Sequence, residues 1–334
     1  MPDQRDFDVI IVGGGPAGLS AALVLGRCRR SVLVIDAGHP RNFASRSAHN
    51  FLTRDGIPPH QLLRIGRDEI ASYGVEFRQG VVAHAACLSP GFRVELLSGS
   101  AATCRKILLA TGVADTLPDI PNADAFYGLG VHHCPYCDAY EYADRAIAAF
   151  GSPRKALGLA ANLLTWSPRV TACSHGEPFT PAHRRSAAKL GIALREERMI
   201  RLETQTGPDT FGDPLQQTTL DADTPIQRLA RIAFESGDPL PVAALFFNTP
   251  QVQRSDLPFT LGCRKDEKGG VARDERQRTG IADVYLAGDA SRDVQFLVVA
   301  AAEGARAGVA INADFQKQAR EARLRPSSDQ GSGT

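Results

Sequence analysis

Short apolar runs alternating with small-residue helical stretches set the pattern of this chain. Val9, Ile10, Ile11 and Val12 predict a strand buried on both faces, residues 16–24 a helix of small and apolar side chains, and Ser31 to Ile35 a second buried strand. The stretch from His60 to Tyr73 predicts a helix, and Phe92 to Leu96 alternates like a strand. Lys106 to Leu109 is another buried run, closing in the turn Ala110-Thr111-Gly112. A second strand-turn-helix-strand unit runs from Ala146 through Ala172. Near Phe246-Phe247-Asn248 the chain returns, and a last strand, Val284 to Ala287, ends in Gly288-Asp289 before an alanine-rich helix to about Phe315. Buried strands alternating with helices define an α/β protein.

The first unit carries chemistry in its turn. Gly13, Gly15 and Gly18 are spaced Gly-x-Gly-x-x-Gly directly after a strand and at the head of a helix, and Asp36 ends the next strand. Strand, glycines, helix, strand and acid in that order predict a dinucleotide site. Gly13 permits the tight turn, Gly15 lets backbone N–H groups approach a pyrophosphate, Gly18 allows close packing, and Asp36 is placed to accept hydrogen bonds from a ribose.

Composition narrows the class. The chain has 334 residues, enough for two domains, and its net charge of +1 implies no nucleic-acid or other polyanionic partner. The first strand begins too early to leave room for a signal segment, and no stretch reaches membrane-spanning length, so a cytoplasmic protein is expected. Seven cysteines, an odd number scattered along the chain, do not read as a secreted disulfide framework. Cys28, Cys87, Cys104, Cys173 and Cys263 stand singly and read as small apolar residues.

Cys134 and Cys137 differ. Within Cys134-Pro135-Tyr136-Cys137-Asp138 they are two residues apart and can close one disulfide, a spacing that often lowers one thiol pKa enough for thiolate chemistry. No second cysteine or histidine pair stands at ligand spacing, so no metal site is expected. His132 and His133 precede the dithiol, and the residues alone leave open whether either is structural or a base.

Taken together, the glycine loop with its acid, Ala110-Thr111-Gly112, the Cys-x-x-Cys-Asp, the second dinucleotide unit and Thr279 with Gly288-Asp289 make the chain resemble the low-molecular-weight thioredoxin reductase family of flavoproteins over nearly its whole length. The resemblance implies two Rossmann-like, three-layer ββα dinucleotide-binding domains, the second inserted in the first. The FAD-binding domain would be residues 1–115 and 246–325, the inserted dithiol domain 116–245, and 326–334 a disordered tail. It implies FAD as cofactor and a homodimer. It places Pro16 and Ala17 with the three glycines, Asp36, Asn50, Val82, Thr111, Gly112, Gly288, Asp289 and either Gln295 or Phe296 at the cofactor. It makes Cys137 the cysteine facing the flavin, Cys134 the one exchanging with substrate, Asp138 the carboxyl that moves the accompanying proton, and His133 a candidate base.

One departure redirects the function. The family binds NADPH through Gly-x-Gly-x-x-Ala and an arginine pair after the next strand. Here the loop reads Gly151-Ser152-Pro153-Arg154-Lys155-Ala156, and Ser174-His175-Gly176 stands where the arginines would be. Proline in place of the second glycine removes an N–H donor and adds a ring. His183-Arg184-Arg185 comes about nine residues late and reads as a solvated helix face. NADPH binding is therefore doubtful, and the chain is closest in character to FAD-dependent dithiol oxidases of the gliotoxin and holomycin type. The expected reaction oxidises a small-molecule dithiol through Cys134–Cys137 and FAD to O2, giving a disulfide and H2O2. The alternatives are an NADPH-dependent reductase acting on a thioredoxin-like protein, a relative using another electron donor, and a flavin-disulfide redox sensor.

Overall fold

The computed structural model describes residues 6–204, 228–291 and 294–324, and the expected tail lies outside them. The chain divides into two compact units, one formed by residues 1–41, 60–113 and 253–334 and the other by 42–59 and 114–252.

Elements are numbered in chain order. In the first unit β1 (Phe7–Val12), β2 (Val32–Asp36), β3 (Glu76–Gln79), β4 (Val82–Cys87), β5 (Phe92–Leu96), β6 (Ala101–Leu109) and β17 (Val284–Leu286) form a seven-stranded sheet. Its parallel part has the order β3-β2-β1-β6, with β17 on β6, and β4 and β5 continue from β6 as an antiparallel meander. The apolar run of β1 serves both faces. Val9 and Ile11 pack with α1 (Pro16–Arg27) and α7 (Leu297–Leu324), while Ile10 and Val12 join Val94, Leu109 and Leu286 on the other side. The two helices meet through glycines: a Cβ on Gly304 would lie 1.9 Å from the Ala17 carbonyl oxygen, and one on Gly308 2.9 Å from Val24 Cβ. The last helix continues to Leu324, beyond the Phe315 expected from its alanine run. α2 (Pro59–Ala71) and the short α6 (Leu257–Thr260) also belong to this unit.

The second unit is built on the parallel sheet β11-β10-β9-β15-β8, comprising β8 (Val131–His132), β9 (Ile147–Phe150), β10 (Val170–Cys173), β11 (Ala193–Arg195) and β15 (Ala244–Phe247). One face, through Ile147, Ala149 and Phe246, packs on α4 (Pro153–Leu163) and α5 (Pro181–Leu190). The opposite face, through Ala148, Phe150 and Phe247, packs on the antiparallel sheet of β12 (Met199–Thr204), β13 (Leu229–Phe234) and β14 (Leu240–Pro241). The layers are helix, sheet, sheet. Pairing of β15 between β8 and β9 keeps Phe246 and Phe247 in this sheet, and the first unit resumes at Gln253. β7 (Val113–Asp115) and β16 (Gln251–Gln253) pair where the chain leaves and re-enters the first unit, and α3 (Pro135–Asp138) carries the dithiol.

Candidate active site

In the nucleotide loop, three residues separate β1 from α1. Gly13 has φ +109°, and a Cβ there would lie 2.2 Å from the Ala110 carbonyl oxygen, so only glycine fits. Gly15 caps α1 without a side-chain hydrogen bond, Pro16 occupies the first turn, and a Cβ on Gly15 would meet nothing within 4 Å. Space therefore lies beside the helix start, where the first N–H groups have no partner within the helix. Gly18 lies against the Gly13 carbonyl, where a Cβ would come within 1.9 Å, and Ala17 is buried beside Gly288. Asp36 accepts from Gly14 N–H at 2.5 Å and Gly38 N–H at 2.8 Å, which fixes its carboxylate at the loop.

Thr111 brings a buried Oγ1 with no hydrogen-bond partner, and Gly112 follows with φ +66°. A buried hydroxyl without a partner costs free energy unless a ligand satisfies it. Arg41, which sequence reasoning missed, joins two expected site residues: its Nη1 donates to Asp289 Oδ2 and to Gln295 Oε1, each at 2.8 Å. Gly288 N–H donates to the buried Glu303, itself paired with Arg273. Val82 opens β4 opposite Leu96 and packs on the core, bringing no side-chain polar group. The open helix turn, the orphaned Thr111 hydroxyl and the carboxylate of Asp36 suit a dinucleotide with an anionic pyrophosphate.

In the second unit Cys134 and Cys137 are joined as a disulfide, with Cα atoms 5.3 Å apart. Cys134 caps α3, and its Sγ accepts from Cys137 N–H at 3.2 Å, a bond that would favour thiolate once the disulfide opens. Asn50, expected at the cofactor, donates through Nδ2 to the Tyr136 carbonyl oxygen at 2.8 Å, tying the 42–59 segment to the loop between the cysteines. His49, beside it, lies 3.3 Å from Glu141 and 3.4 Å from Asp55.

The adjacent histidines diverge at the end of β8, where His132 is the last strand residue and His133 the first beyond it. His133 Nδ1 is 3.1 Å from Tyr127 Oη, and its Nε2 is 3.8 Å from Asp115, which also accepts from Gln251 at 3.0 Å. His132 is buried, with Nδ1 3.4 Å from Asp138 and Nε2 3.0 Å from Tyr142 Oη. Burial pushes the Asp138 carboxyl up, but the charges of His132, His133 and His49 and the His132 hydrogen bond bring it below the usual carboxylate value.

The second loop is shorter. Only Gly151 and Ser152 separate β9 from α4, and Pro153 occupies the first helical turn, as Pro16 does in α1. Ser152 replaces a glycine at the cap. After β10, His175 accepts from Met199 N–H through Nδ1 at 3.1 Å and meets Phe150 edge-on, and burial followed by the Arg198 charge lowers its pKa. His183 closes a capping box with Thr180, and Arg184 pairs with Glu196 at 2.5 Å.

Two dinucleotide-binding folds and a Cys-x-x-Cys disulfide define a disulfide oxidoreductase. Residues 7–304 match the pyridine nucleotide-disulphide oxidoreductase family, and the chain belongs to it. It is an oxidoreductase acting on sulfur groups, and the cofactor of the thioredoxin reductase-like members is FAD. It is 30% identical to thioredoxin reductase tcpT of Claviceps purpurea, over 86% of this chain and 88% of that one. The crystal structure of HlmI superposes with a TM-score of 0.85 at 31% identity, covering 96% of this chain and 95% of that one. A putative thioredoxin reductase, TrxB from Bacillus anthracis, gives 0.84 at 26% identity, covering 94% and 99%. No helix among the described residues is long and apolar enough to cross a membrane.

Proposed function

We propose that this oxidoreductase runs as a dithiol oxidase, taking a small-molecule dithiol to its disulfide with O2 as acceptor. The observation that carries the reading is the second loop: two residues long, capped by Ser152 and closed by Pro153, with a hydrogen-bonded, electrically neutral His175 after the next strand instead of a cationic clamp. A pyrophosphate needs converging N–H groups and a 2′-phosphate needs positive charge; this loop has the first glycine alone of the pair, and its cations are Arg154 and Lys155 in the first turn of α4 rather than a clamp after the next strand.

Catalysis begins at the disulfide. A substrate thiolate attacks Cys134 Sγ, the Cys134–Cys137 bond breaks, a mixed disulfide forms, and the electron pair stays on Cys137 Sγ. The second substrate thiolate then attacks the substrate sulfur of that mixed disulfide, releasing the product disulfide and Cys134 as thiolate. Asp138 moves the proton of the first thiol, and His133, backed by Asp115 and Tyr127, is the base for the second. Bound FAD supplies the two-electron acceptor that restores the Cys134–Cys137 disulfide, with O2 leaving as H2O2. Asp36, Thr111, Gly112, Asp289 and Arg41, with Gly13 and Gly15, would hold that cofactor.

Relatives bearing the name thioredoxin reductase favour a second reading, NADPH-driven reduction of a thioredoxin-like protein. Anaerobic stopped-flow mixing of the yellow protein with a dithiol, NADPH or NADH separates the two. Bleaching by the dithiol alone is expected. Fast bleaching by NADPH would establish the reductase instead.

A further inference from the structure

Behind the dithiol, Asp138, His132 and Tyr142 form a carboxylate, imidazole and phenol in series. His132 stands on β8, in register with Phe246 of β15, and its ring packs between Tyr142 and Phe246 with centroids 5.3 and 5.4 Å away. The imidazole is 5% exposed, so its orientation is set by packing as well as by hydrogen bonds.

The partners assign its proton. An ionised Asp138 can only accept, so Nδ1 carries the hydrogen, and Nε2 accepts from the Tyr142 hydroxyl. Burial and then the Asp138 charge push the Tyr142 pKa well up, keeping the phenol protonated and able to donate.

We propose that His132 is a positioning residue for proton transfer at Asp138, locked by Tyr142 in the tautomer that presents Nδ1–H to the carboxylate. The proposal rests on Asp138 as the proton-transfer group. When an incoming thiol attacks Cys134, the S–S bond to Cys137 breaks and the new S–S bond forms. The proton of the incoming thiol passes to Asp138 and then to the Cys137 sulfur, which holds the electron pair. His132 keeps Asp138 ionised and aimed between these events. Other groups act on the same carboxylate, namely His133, His49 and Glu141, while Arg145 and Arg228 act on Tyr142.

The test follows reduction of the Cys134–Cys137 disulfide by dithiothreitol in the FAD-loaded protein, by alkylation and mass spectrometry across pH. His132→Gln should slow exchange about tenfold at neutral pH and move the acidic limb of the profile to higher pH, because Asp138 loses the imidazole N–H that holds its carboxyl down. His132→Phe keeps a ring between Tyr142 and Phe246 and should shift the limb equally, which separates lost hydrogen bonding from lost packing. Nitrogen-15 spectra should show the Nδ1–H form in the wild type and a mixture of tautomers in Tyr142→Phe. If Asp138→Asn abolishes the limb while both His132 variants keep the wild-type profile, the positioning role is wrong and Asp138 stands. If Asp138→Asn leaves the profile unchanged, the proton-transfer reading falls, and this proposal with it.

Discussion

The two strand-to-helix loops begin alike and end differently. Both follow a buried strand and both place a proline in the first helical turn, yet the first has three residues turning through Gly13 at φ +109°, while the second has two and ends in Ser152. Proline alone is therefore not what distinguishes them, since its missing N–H is one that a helix start leaves unpaired anyway. Sequence comparison set Pro153 against the second glycine, but the structure puts it level with Pro16. The missing element is a loop residue together with the left-handed turn it would allow.

Substitutions can break this contrast. The largest effect is expected from Gly15→Val, which fills the open space at the head of α1. The purified protein should fold but emerge without yellow colour, and a fully FAD-loaded variant would overturn the cofactor assignment. Arg41→Ala should come next. Loss of the charged donor shared by Asp289 and Gln295 should weaken FAD binding roughly tenfold, about 1.4 kcal/mol, as read by fluorescence titration of the apoprotein. Pro153→Gly sharpens the comparison from the other side. Because the loop remains short, flavin reduction by NADPH should stay within about threefold of the wild type, with helix stability lowered by about 1 kcal/mol at most. A large gain would mean that the proline itself had closed the site. The smallest effect is a pH dependence of stability at His175. Its folded pKa is lowered, so the unfolded chain binds the proton more readily, and the native state loses stability as pH falls through the ordinary histidine value of about 6.5. Thermal melts at pH 7 and pH 5 should show a smaller drop for His175→Gln than for the wild type.

Much of the first loop was legible because its constraints are local: Gly13, Gly15 and Gly18 follow within six residues of one another, and their spacing alone encodes turn, cap and packing. The dithiol was legible for the same reason. Arg41 was not, since it meets Asp289 across 248 positions of sequence through a sheet order that brings the ends of β2 and β17 into one unit. The separate surroundings of His132 and His133 depended on knowing that residues 131 and 132 pair with Leu245 and Phe246, so that Phe246 flanks one ring and Phe247 the other. For Val82 and Asn50, set at the cofactor by resemblance, the fold adds the side-chain contacts that the sequence did not carry: packing on the core for one and a hydrogen bond to the Tyr136 backbone for the other.

The close seat of Gly304 against Ala17 also orders events in time. The helix beside the nucleotide loop leaves a ribosome long before the helix that covers it, because most of both units lies between α1 and α7 in the chain. Chain closure over such a separation is slow, and until α7 arrives the apolar flank of α1, including Ala21 and Leu25, has lost its main cover. The inserted unit, whose sheets close between residues 114 and 252, is complete well before that moment. A nascent chain should therefore possess a folded dithiol unit before it can retain FAD, and truncations that remove α7 should yield colourless, aggregation-prone protein rather than a smaller flavoprotein.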